Sequence, residues 1–113
     1  MADGGTRVLL MLVARDEDSF DHLVTGLLDV GITGATVVES RGLGAIIRQD
    51  MPIFAGLAAL LPQQTGSKVI LSITTGENVK ALQRFVAELP ETQRPIGAAV
   101  PVDQTIGLVN PGN

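Results

Sequence analysis

Residues Arg7–Ala14 form a nearly continuous apolar run rich in Val and Leu, the pattern of a strand in the centre of a sheet. Phe20, Leu23, Val24, Leu27 and Leu28 then recur at i, i+3, i+4, i+7 and i+8, which predicts an amphipathic helix. The acidic stretch Asp16-Glu17-Asp18 suits the helix start and Gly31 suits its C-terminal cap. Ala35–Ser40 predicts a second strand with β-branched Thr36, Val37 and Val38. Lys68–Ile73 predicts a third. Val79, Leu82, Phe85, Val86 and Leu89 return to helical spacing and Pro90 stops that helix. Ala98–Val102 and Thr105–Val109 read as short strand-like pieces, with Pro101 placing the last strand at an edge or a bulge.

The order is β-α-β, a long connection, then β-α-β. Two such halves packed together predict an α+β ferredoxin-like fold: a four-stranded antiparallel sheet with both helices on one face and strands one and three in the centre. The whole chain, 1–113, reads as one domain with an insertion over about 41–66. One sheet face then carries no helix, and an aliphatic chain of this kind is expected to cover it by self-association.

The connection Arg41–Gly66 is long for a compact domain. Its second part, Met51–Pro62, contains no charge; Asp50 and Pro52 suit a helix start and Pro62 its end. It reads as an additional core helix first, and as a partner-binding element second.

Composition narrows the chemistry. Hydrophobic residues make up 45% of the chain, enough for a core, and the three aromatics are all Phe. A net charge of −4 with no basic run argues against nucleic acid. With no Cys and a single His, His22, thiolate chemistry is excluded and a histidine metal cluster cannot be built. No nucleophile–base pair or paired carboxylate site stands out, so an enzyme is not expected. No apolar run spans a bilayer, and the start Met-Ala-Asp-Gly-Gly is unlike a signal peptide, so a cytoplasmic location is expected.

Gly31-Ile-Thr-Gly-Ala-Thr-Val37 resembles the passage from first helix to second strand in the P-II nitrogen-regulatory proteins. Arg41-Gly-Leu-Gly44 resembles the base of that family's regulatory loop, and Ile96–Asp103 its fourth strand and following turn. The resemblance implies a homotrimer with sheets facing inward. It also implies an adenine nucleotide (ATP, ADP or AMP) as effector in clefts between subunits, often with 2-oxoglutarate, and a loop that signals to a regulated partner such as a transporter or enzyme. The residues it suggests for the ligand are Gly34, Thr36, Gly42, Leu43 and Gly44; Arg94, outside the resemblance, reads as a solvated surface charge or as a phosphate anchor in place of the family's missing loop. Departures are plain: Ile46 stands where the family has Gln, the Thr-Gly-x-x-Gly-Asp-Gly-Lys loop is replaced by Pro90–Gly97, the two arginines after the last strand are replaced around Gly107 and Val109, and the chain has no Tyr for uridylylation. The chain therefore resembles a divergent P-II-like regulatory signal protein. The alternative is a structural or scaffolding trimer that binds no nucleotide and uses the apolar Ile53–Leu61 for assembly or docking. A third reading is an enzyme or metal-tolerance protein on the same trimer scaffold, as in the CutA group, against which the Cys and His counts weigh.

Overall fold

The computed structural model describes residues 6–50, 53, 56 and 67–108. Strand β1 (Arg7–Ala14) leads into helix α1 (Glu17–Asp29), strand β2 (Thr36–Ser40) and helix α2 (Leu43–Asp50). Strand β3 (Ser67–Thr75), helix α3 (Gly76–Ala87), a 3-10 turn (Glu91–Gln93) and strand β4 (Ile96–Pro101) follow. The four strands are antiparallel in the order β2-β3-β1-β4, so the two most apolar strands are central, as expected of a ferredoxin-like α+β fold.

Local chemistry fixes the helix ends. The Asp16 carboxylate accepts the Ser19 amide at 2.7 Å at the start of α1, and Thr75 Oγ1 accepts the Asn78 amide at 3.2 Å at the start of α3. At the far end of α1, Gly31 adopts φ +91°, and the amides of Gly31 and Ile32 donate to the carbonyls of Leu28 (3.1 Å) and Leu27 (2.8 Å). This paired closure buries Ile32 beside Leu27 and turns the chain toward β2.

The core lies between the sheet and helices α1 and α3. Leu10, Leu12 and Ala14 of β1 and Ile70 of β3 meet Leu23, Leu27 and Leu82, all buried. Each such aliphatic side chain contributes about 1.5–3 kcal/mol through burial. The helices approach closely because Gly26 has no side chain: a Cβ there would run into the Phe85 ring.

Three expectations change. Residues 43–50 are helical, where the sequence suggested the base of an irregular loop: the Ile46 amide donates to the Gly42 carbonyl at 3.1 Å, opening a helical turn instead of a glycine turn. Residues 105–108 are irregular, not a strand, because β4 already occupies the place beside β1. The helix expected across Met51–Pro62 lies outside the described residues, except that Ile53 falls in a 3-10 turn and Gly56 in a helical segment.

Candidate functional site

Period-two alternation gives the sheet two unlike faces. Leu10, Leu12, Ile70 and Ser72 point toward the helices. Leu9, Met11 and Val13 of β1 point the other way, opposite Ile73, Leu71 and Val69 of β3. Val100, Ala98 and Ile96 of β4 extend that surface on one side, and Thr36 and Val38 of β2 on the other. None of these residues is charged. Met11 is 45% exposed and Ile96 63%, so the face is apolar, continuous and uncovered in one chain. At its upper end the hydroxyls of Ser40 and Ser67 bond each other at 2.7 Å.

A cleft of about 540 Å³ opens at the lower end of this sheet, lined by Leu9, residues 31–36, residues 71–74 and Leu108. Gly34 and Thr36 are both in it. Two of its polar side chains are already engaged: Ser72 Oγ donates to the Gly34 carbonyl at 2.5 Å, and Thr74 Oγ1 accepts Asn78 Nδ2 at 3.0 Å. No lining residue carries a cation to meet a phosphate.

The other residues expected at a ligand site lie elsewhere. Gly42, Leu43 and Gly44 follow the opposite end of β2 from Thr36, roughly 15 Å away along the strand. Arg94 adjoins β4, the edge strand on the other side of the sheet. Its Nε donates to the Leu89 carbonyl at 2.9 Å and its Nη2 to the Ala87 carbonyl at 3.1 Å, capping the end of α3. One chain thus brings Gly34 and Thr36 together and leaves Gly42–Gly44 and Arg94 apart from them and from each other.

Arg15 is the polar residue whose part the sequence hid. It reaches the 3-10 turn, donating from Nη2 to the Arg94 carbonyl at 3.0 Å and the Glu91 carbonyl at 3.4 Å. No spacing in the sequence signals a contact across 79 positions. Lys68 is likewise committed, pairing with Glu17 at 2.5 Å and lying 4.6 Å over the Phe20 ring; the hydrogen bond to Glu17, foremost, holds its pKa above the usual lysine value.

A resident metal does not fit the described residues of one chain. His22 Nδ1 donates to the Asp18 carbonyl at 2.7 Å, Asp16 caps α1 and Glu17 holds Lys68. Among the described residues no three His, Cys, Asp or Glu side chains gather, and no described helix is long and apolar enough to cross a membrane.

Fold and surface together define a ferredoxin-like α+β chain with one finished and one unfinished sheet face. No protein-family model and no curated protein matches the sequence. Among solved structures, the chain resembles CutA1 from Oryza sativa at TM-score 0.56 and 11% identity, covering 90% of this chain and 84% of that one. It also resembles a protein from Archaeoglobus fulgidus described as the periplasmic divalent cation tolerance protein CutA, at TM-score 0.53 and 10% identity, covering 89% and 88%. Identities this low show the shared P-II-like ferredoxin fold; they assign no P-II membership.

These neighbours correct the functional expectation. They are CutA proteins, not nitrogen regulators, and the reading of this chain as a nucleotide-binding signal protein and enzyme regulator is overturned. The adenine nucleotide expected as its effector goes with that reading. The physical reason is visible in the cleft, where Thr36 has no phosphate-binding partner and the guanidinium of Arg94 is spent on helix carbonyls.

Proposed function

We propose that this chain is a non-catalytic subunit of a closed homotrimer of CutA-like architecture, a divergent member of the P-II-like group, with its bare sheet face turned inward. The observation that carries the reading is the uncharged face built by Leu9, Met11, Val69, Leu71, Ile96 and Val100. Burying such a surface releases free energy of about 25 cal/mol per Å², and copies of the same face are its simplest cover. The fold likeness over most of the chain supports the same arrangement.

The divalent-cation tolerance named for the Archaeoglobus neighbour belongs to this reading in a restricted form. Without Cys, and with no three His, Asp or Glu side chains gathered among the described residues of one chain, a cation would be held by oxygen ligands gathered between copies and not by a soft Cys–His cage within one. Light scattering tests the assembly: the expected mass is three times the 11.8 kDa of the chain. A monomer at working concentration sinks the proposal. Calorimetry with Cu²⁺ and Zn²⁺ tests the cation role, and tight binding by a monomeric variant would remove the placement between copies.

A further inference from the structure

The sheet has two edges, β2 and β4, and they differ in what stands beside them. At β4, α3 packs on β1 and β3 and leaves the strand unroofed. The result is a groove of about 430 Å³ between α3 and β4, with Val79, Val86 and Gln83 on one wall and Gly97 and Ala99 on the other. A side chain at Gly97 would collide with Leu12, so the floor is held flat. At β2 the reverse holds. Helix α2 leaves the end of this edge strand, and none of the described elements packs closely on it. Its Leu43 is 64% exposed, Ile46 and Ile47 follow at i+3 and i+4, and Ile53 beyond it is 85% exposed.

A closed ring of like copies joins unlike edges, β2 of one to β4 of the next. The strand directions permit it, because β2 runs with β1 while β4 runs against it, so the alternation continues across the joint. The heights match as well. Ser40 pairs with Ser67, Lys68 with Ala14, and Val13 with Ile96, so the end of β2, where α2 departs, lies level with the start of β4, where the groove lies.

We propose that the occupant of the α3–β4 groove is a second copy of this chain, which inserts the apolar side of α2 led by Leu43. This rests on the ring assembly proposed above and adds to it an arm that clasps the next subunit from the helix side of the sheet. The groove, apolar apart from Gln83 and Arg94, and the apolar side of the arm belong to opposite edges, so neither can satisfy the other within one chain.

The absence of cysteine from the chain makes cross-linking a clean test. In the doubly substituted chain Leu43→Cys, Ala99→Cys, mild oxidation is expected to convert most of the protein into covalent dimers and trimers on a denaturing gel. The pair Leu43→Cys, Gln83→Cys should do the same from the helix wall. For the Ala99 pair a bridge within one chain is excluded, since opposite edges of a four-stranded sheet stand roughly 14 Å apart and a disulfide needs its Cα atoms within about 7 Å; for the Gln83 pair the covalent dimers and trimers themselves show that the bridge joins copies. Light scattering on the unsubstituted chain separates the two ideas. A trimeric mass with neither pair cross-linking overturns the clasp and leaves the ring intact, while a monomeric mass overturns both. A single Leu43→Glu substitution, on an exposed side chain that the fold does not need, should raise the dissociation midpoint concentration at least tenfold. An unchanged midpoint also overturns the clasp.

Discussion

The two faces of one sheet are built from the same strands and the same residue types, yet only one of them is complete. On the helix side, Leu10 and Leu12 alternate into a core closed by Leu23, Leu27 and Leu82. On the other side, Leu9 and Met11 alternate onto a surface that stays 36% and 45% exposed. Neither strand propensity nor hydrophobicity separates them; the difference is that both helices cross to the same side. The finished face supplies the stability of the subunit, and the unfinished face is the one that the proposed assembly would bury.

Placing a charge in the unfinished face is the strongest way to break this division. Met11→Lys puts an ammonium at its centre, opposite Leu71 and Ala98. In an isolated subunit the exposed position tolerates it. In an assembly it must be desolvated, which costs several kcal/mol. The expected result is a shift from trimer to monomer in light scattering with the far-ultraviolet circular dichroism spectrum retained. A trimer that survives would show that the face does not join copies.

On the finished face, Leu23→Ala should do the opposite. Leu23 is fully buried, so the substitution leaves a cavity costing about 2–5 kcal/mol. Urea denaturation should report that loss in the subunit. Any change in trimer mass under native conditions would mean that the two faces are coupled more closely than this division allows.

The same contrast explains what the sequence disclosed. The boundaries of β1 were legible because a run apolar at every position fits a central strand whichever faces are covered. The stripe of α1 and the cap at Gly31 were legible because both obey local rules. Arg94 was not, since its role depends on where the last carbonyls of α3 end up. Helix α2 was misread because Gly42 and Gly44 bracket Leu43 as a turn would, although the Gly42 carbonyl accepts a helical hydrogen bond. The supposed ligand residues do not converge within one chain: Thr36 and Gly42 are close in sequence, but the extended strand β2 stands between them. Motif resemblance found the fold through residues that shape turns. It overreached on ligand chemistry, which needs distant residues to converge.

The finest probe of the division is the Asp16 cap, which belongs to the finished half and touches no part of the bare face. The hydrogen bond from the Ser19 amide, foremost, lowers the Asp16 pKa below the ordinary carboxylate value. A lowered folded-state pKa means that the cap stabilises the chain fully above the unfolded-state value near 3.9 and loses that contribution as pH falls through the folded-state value. Asp16→Ala should therefore cost about 1 kcal/mol at neutral pH, and the gap to the unsubstituted chain should close below about pH 4. Because the cap acts inside one subunit, the loss should appear as an equal drop in subunit stability for the assembled chain and for the Met11→Lys monomer. A cost that vanished in the monomer would place the start of α1 at the joint between copies and redraw the boundary between the two halves.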